Sequence, residues 1–180
     1  LLKAEKLINY SKKNSARIAL IFKPKTLSKV NHSHKKNKNK ISRIDFISEL
    51  IKNISKKTKI ISSVGFNSRE LFYLRKKEKI FNGKDFLMVG AMGHTAMTAL
   101  SMTKFSKSNI ICLDGDGSFI MHMGALSMLK NFKAKNFKYI LVDNEAHESI
   151  GMQPIFINKI NFKNLSKSLG FKNFYLIKEK

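Results

Sequence analysis

From Ile41 onward short apolar runs alternate with helix-patterned stretches, and that alternation leaves few folds open. Ile44, Ile47, Ile51 and Ile54, with Phe46 and Leu50, recur at the 3.6-residue period of an amphipathic helix. Lys59–Ser62 reads as a strand, and Ser68–Lys77 as a helix with Ser68 at its N-cap. Phe86–Val89 is expected as a strand and His94–Phe105 as a helix. Asn109–Leu113, Phe119–Phe132, Lys138–Asp143 and Asn161–Leu169 continue the series as strand, helix, strand and helix. Asn173–Leu176 reads as the start of a last strand. This order predicts an α/β fold, a parallel sheet covered by helices on both faces. In such sheets ligands bind beyond the carboxyl ends of the strands.

The first forty residues have a different texture. Residues 2–13 show helical spacing, and Ala16–Phe22 (ARIALIF) reads as a buried strand. Residues 31–40 form a basic linker, within a polar stretch that begins at Lys23 and carries His32 and His34. Charge follows the same division: residues 1–40 hold 12 basic and 1 acidic side chains, whereas residues 85–160 hold 7 and 6. The total of +23 suggests nucleic acid as a partner, but Arg, the usual reader of phosphate and bases, occurs four times against 31 Lys. The aromatics of the basic stretches are not spaced as a stacking platform. A lysine excess from A/T-rich codons on a solvated surface accounts for the charge, and no nucleic-acid partner is expected. Phe86–Thr103 is uncharged but broken by Gly90, Gly93, His94 and several hydroxyl residues, so no membrane span is expected. One Cys excludes a disulfide framework and suits a reducing, cytoplasmic setting.

Two strand ends concentrate the polar chemistry. Asn109–Leu113 runs into Asp114-Gly115-Asp116-Gly117-Ser118, directly before a helix. The glycines allow a sharp turn and close approach of a ligand, and the N–H groups that open a helix favour phosphate. Asp116 offers a carboxylate to a hard cation such as Mg²⁺. Twenty-eight residues beyond Asp116, the run Tyr139–Val142 ends in Asp143-Asn144-Glu145-Ala146, where Asn144 adds a side-chain carbonyl. Two oxygen-bearing strand ends one helix apart can hold Mg²⁺ against a diphosphate.

This pairing resembles the pattern of thiamine diphosphate-dependent enzymes, and the wider chain resembles their phosphonopyruvate decarboxylases and sulfopyruvate decarboxylase relatives. The matching stretches are VGFNSREL (64–71), FLMVGAMGHTAMTAL (86–100), CLDGDGSFIMHMGAL (112–126) and DNEAHESIGMQP (143–154). The resemblance implies a thiamine diphosphate-binding domain over 41–180, with Asp116, Asn144 and the carbonyl of Ala146 as Mg²⁺ ligands. It implies diphosphate contacts at Gly115, Gly117 and Ser118. The carbonyl of Gly90 would accept from the cofactor's 4′-amino group, and Met92 would prop its bent form. His147 and His122 are the candidate catalytic side chains, whereas Ser68, Arg69 and Glu70 read as a helix cap and a surface ion pair. Where the family usually has Asn-Asn followed by Gly, this chain has Asp143-Asn144 and Glu145.

The implied reaction is decarboxylation of a small 2-oxo acid, 3-phosphonopyruvate to phosphonoacetaldehyde. Sulfopyruvate is the alternative substrate, and an acetolactate synthase-type enzyme the broader one. In this family a Glu on a preceding pyrimidine-binding domain, contributed by a partner subunit, activates the cofactor. Residues 1–30 read as a remnant of such a domain, and 41–180 as stopping before a closing helix. The expectation is therefore a fragment that forms a homo-oligomer when complete.

Overall fold

In the computed structural model the described residues are 2–23, 26, 41–80, 85–132 and 134–178. The linker expected at 31–40, with His32 and His34, lies outside them. The chain divides into two compact units, residues 1–33 and 34–180.

The first unit contains helix α1 (Leu2–Asn14), with Glu5 in its first turn and Lys12 and Lys13 in its last. That charge order complements the helix dipole and favours the helix. The Ser11 hydroxyl donates to the Ala16 carbonyl at 2.6 Å and helps stop the helix. The strand expected at Ala16–Phe22 is absent, and Ile18, Leu20, Ile21 and Phe22 are exposed. Apolar composition alone does not make a strand; a ladder needs a hydrogen-bonded neighbour.

The second unit is built on α2 (Arg43–Asn53), β1 (Lys59–Ser62), α3 (Phe66–Lys77), β2 (Phe86–Leu87), α4 (Thr95–Phe105), β3 (Ile110–Gly115), α5 (Asp116–Met121), α6 (Leu129–Phe132), β4 (Phe137–Val142), β5 (Ala146–His147), β6 (Gln153–Pro154) and α7 (Phe162–Ser168). Strands β2-β1-β3-β4 pair in that order and all in parallel. The chain leaves β1 for one side through α3, then crosses to the other side through α4. Right-handed crossovers in opposite directions put helices on opposite faces of a sheet.

Both faces are covered. Along β1 and β3 successive side chains alternate between two cores. Ile60, Ile111 and Leu113 join Ile47 and Ile51 of α2 and Leu71 and Leu74 of α3. Ile61, Ile110 and Cys112 join Ala96 and Ala99 of α4 with Phe119, Leu126, Ile155 and Ile157. The period of two in the strands meets the period of 3.6 in the helices, as the fold class requires. Each fully buried Ile or Leu contributes about 1.5–3 kcal/mol relative to exposure.

Several expectations shift. Ser68 is not an N-cap: α3 starts earlier, after Gly65, and the buried Ser68 hydroxyl donates to the carbonyls of Ser62 and Ser63 at 3.2 and 2.6 Å. The helix expected over Phe119–Phe132 is broken. α5 ends at Met121, the next residue His122 leaves helical geometry (φ −135, ψ 36), and a 3-10 turn over Met123–Met128 precedes α6. Gly124 and Ser127 are weak helix formers, and only Phe119 and Leu126 of this stretch reach full burial among its apolar residues. The strand expected at Asn173–Leu176 is absent, and Tyr175, Leu176 and Ile177 are exposed. Among the described residues no helix is long and apolar enough to cross a membrane.

Candidate functional site

The parallel sheet turns its direction of winding at β1, so the crevice opens where β1 and β3 end. A cleft there is lined by Val64, Asn67, Gly115, Asp116, Asn144 and His147, among others. They lie at or just beyond the carboxyl ends of β1, β3 and β4.

Asp116 organises this corner. Its side chain is buried, and Oδ1 accepts from the Gly117 N–H at 2.8 Å. Oδ2 accepts from the N–H groups of Asn144 at 3.2 Å and Ala146 at 3.3 Å, which ties the end of β3 to the loop after β4. Burial pushes the Asp116 carboxyl up to about 6, aided by the nearby negative charge of Asp143 and opposed by the N–H donors. A cation beside it would relieve both penalties.

Two residues earlier, Asp114 is buried below the turn. It accepts from the Tyr139 hydroxyl at 2.8 Å and from the Gly115 N–H at 3.0 Å, so β3 and β4 are locked just beneath the site. Burial raises its carboxyl above the usual range, and these bonds partly offset that.

The loop after β4 presents Asn144 with its two ends distinguished. Nδ2 donates to Glu148 Oε2 at 3.0 Å, while Oδ1 accepts from the Ala146 N–H at a long 3.3 Å. Glu145 adopts φ +56, the left-handed region that favours glycine. Among the described residues no three His, Cys, Asp or Glu side chains converge as a metal cluster. The cleft is instead lined by Asp116, Asn144 and Glu148, whose side chains carry hard oxygen donors of the kind Mg²⁺ takes.

The cleft lining brings together Met92, Gly115, Asp116, Gly117, Ser118, Asn144, Ala146 and His147 from the sequence candidates. Two candidates fall outside that lining. Gly90 is exposed with φ +70. His122 is exposed and packs edge-on against His94, with ring centroids 4.3 Å apart. The Ser118 hydroxyl accepts from the Gly93 N–H at 3.1 Å and so also anchors the turn after β2.

Sequence reasoning missed the β5–β6 hairpin and the residues around it. Ala146 pairs with Pro154 and His147 with Gln153, across a short turn that closes at Gly151 with φ +108. This hairpin seats the His147 ring on Gly117. It also missed Arg43, whose guanidinium lines the cleft and lies over the Phe66 ring at 5.3 Å.

Gly117 is there because of that close approach. A Cβ at this position would lie 2.5 Å from His147 Cε1 and 3.0 Å from the Met92 methyl. Gly117→Ala must push the imidazole and the thioether apart, an overpacking cost of about 1–3 kcal/mol. We expect a lower melting temperature and weaker cofactor binding together. A variant that melts and binds like the parent would show that the ring does not sit on Gly117.

A family profile described as "Thiamine pyrophosphate enzyme, C-terminal TPP binding domain" matches residues 63–178, more than half of the chain. The chain is 33% identical to sulfopyruvate decarboxylase subunit beta of Methanocaldococcus jannaschii, over 71% of this chain and 66% of that protein. It is 29% identical to the subunit of the same name from Methanococcus maripaludis, over 67% of this chain and 62% of that one. With phosphonopyruvate decarboxylase of Streptomyces viridochromogenes it shares 27% identity, over 73% of this chain but 32% of that protein. The chain thus spans less than two thirds of the length of these relatives. The parallel sheet covered on both faces, the Asp-Gly-Asp-Gly turn at the end of β3 and the profile match agree: the chain belongs to the thiamine pyrophosphate enzymes, as their C-terminal cofactor-binding domain.

Proposed function

We propose that this chain is the cofactor-binding half of a thiamine diphosphate- and Mg²⁺-dependent decarboxylase of a small 2-oxo acid with a second acidic group, sulfonate or phosphonate. The observation that carries the reading is Asp116, whose buried carboxylate holds the β3 turn and the β4 loop together in one oxygen-rich corner. Higher identity to the sulfopyruvate decarboxylase subunits, and the larger share of those subunits that the match covers, favour sulfopyruvate over 3-phosphonopyruvate, the acid placed first on sequence alone.

In this reading Asp116, the Asn144 side-chain carbonyl and the Ala146 carbonyl hold the cation. The backbone at Gly115, Gly117 and Ser118 receives the diphosphate, and Met92 supports the cofactor from the turn after β2. Gly90 contributes its carbonyl to the aminopyrimidine from the same turn. When bound, thiamine diphosphate supplies the sink for the electron pair that departing CO₂ leaves behind. His147, half-buried on Gly117, is the imidazole placed to hold or move a proton in the cleft. His122, exposed at the C-terminal end of α5, lies outside the cleft lining.

The activating Glu comes from a pyrimidine-binding domain on a preceding segment or another subunit, in keeping with relatives named as beta subunits. Residues 1–30 belong to that part and 41–180 to the cofactor domain. The 180-residue chain alone is therefore expected to bind Mg²⁺–thiamine diphosphate weakly and to release no CO₂. Combined with its pyrimidine-binding partner, it should turn over sulfopyruvate faster than 3-phosphonopyruvate. Release of CO₂ by the pure chain would refute the division of labour, and no metal-dependent cofactor binding would refute the site.

A further inference from the structure

The best-connected polar network of this unit runs from α2, outside the stretch matched by the family profile, into the candidate metal corner. Arg43, the first residue of α2, donates through Nε and Nη2 to both carboxylate oxygens of Glu70 on α3, each at 2.8 Å. Its Nη1 donates to Glu148 Oε2 at 2.6 Å, across 105 residues of chain. The same Glu148 oxygen accepts from Asn144 Nδ2 at 3.0 Å. Four side chains from separate elements thus form one line, Glu70 to Arg43 to Glu148 to Asn144. The Phe66 ring backs the guanidinium.

The end of that line has a chemical consequence. A side-chain amide can offer a cation its oxygen or, turned over, an NH₂ group that repels it. Glu148 carries only acceptors when ionised, so it takes the NH₂ end and leaves Oδ1 facing the Asp116 corner. Glu148 opens a three-residue 3-10 turn. The Arg43 fork holds it, with side-chain exposure of 16% for Arg43 against 36% for Glu148. Glu70 fixes the other edge of the same planar group.

We infer that Arg43 and Glu148 are positioning residues that orient the Asn144 amide, with its oxygen toward the cation. The inference rests on the reading of Asn144 as a metal ligand given above. Partners of this kind are worth about 10–100-fold in metal affinity.

The test uses the whole 180-residue chain with thiamine diphosphate at fixed concentration and Mg²⁺ as the titrant, followed by calorimetry. Glu148→Ala and Arg43→Ala should each raise the Mg²⁺ needed for half-saturation about tenfold or more. The double variant should be little worse than either single one, because both act through one amide. Arg43→Lys, a single ammonium that cannot bridge two carboxylates, should recover only part of the loss. In the metal-free protein, the Asn144 side-chain amide resonance should move in Glu148→Ala, a change that mere destabilisation does not produce. Unaltered Mg²⁺ dependence in both single variants, beside a responsive parent chain, overturns the inference and leaves the functional reading intact. Additive losses, or an unmoved Asn144 resonance, also overturn it. A parent chain with no Mg²⁺-dependent response overturns the functional reading itself.

Discussion

Asp116→Ala is expected to abolish Mg²⁺-dependent binding of thiamine diphosphate, with affinity falling about a hundredfold or more. Two unit charges about 4 Å apart share roughly 4 kcal/mol at an effective dielectric of 20, and a divalent ion shares more. Each 1.4 kcal/mol lost is about tenfold in affinity. No other carboxylate in the turn can substitute, because Asp114 faces down to Tyr139 and Gly115. The variant also strands the N–H groups of Gly117 and Asn144 and takes one of two acceptors from that of Ala146, so its loop loosens as its charge is lost. Asp116→Asn separates the two effects, since it keeps the shape and one acceptor while removing the charge. Isothermal titration should find both variants unable to bind; parental affinity in either would show that the cation sits elsewhere.

Arg75→Ala is expected to bring the largest loss of stability. The Arg75 side chain is 4% exposed, and its Nε and Nη2 donate to the two oxygens of Asp85 at 2.7 and 3.1 Å. Asp85 also accepts from the Ile60 N–H at 3.3 Å, so the pair fastens α3 and β1 to the start of the two-residue strand β2. Removing one partner leaves the other charge largely buried, at a cost of about 3–5 kcal/mol. Against the 5–15 kcal/mol typical of a domain, that lowers the melting temperature by roughly 10 °C. Replacing both residues by Leu should recover most of the loss, because no unpaired charge remains. Single variants that melt with the parent would show that the pair does not hold β2.

What was legible in the sequence follows from range. The continuous apolar runs of β1, β3 and β4 and the period-3.6 stripe of α2 are local signals, and the two cores take up their residues on the two faces of the sheet. The Asp-Gly-Asp-Gly turn was readable because Gly and Asp state their backbone needs in place. The strands expected at Ala16–Phe22 and Asn173–Leu176 failed because apolar runs cannot announce whether a neighbour exists. The β5–β6 hairpin was missed because two-residue strands carry no pattern, leaving Gly151 as its one local mark. Arg43 and Arg75 were missed because their partners are set by tertiary contact. A signal was nevertheless present. In a chain with 31 Lys, an Arg stands against the compositional drift, and two of the four Arg hold the two-pronged carboxylate pairs that a lysine cannot make.

The loop after β4 has one more implication. With Glu145 in the left-handed region, the N–H groups on either side of it, at Asn144 and Ala146, converge on one oxygen of Asp116. Such a concavity of amides is what proteins use to capture free anions. Here the captured anion is the chain's own carboxylate, delivered from a neighbouring strand, so the loop is folded around an internal ligand before any cation arrives. The entropy of ordering it belongs to folding rather than to binding. On the proposed reading, a pre-shaped pocket of that kind would discriminate by ionic radius, favouring a small cation at short distances over a larger one that needs the loop to widen.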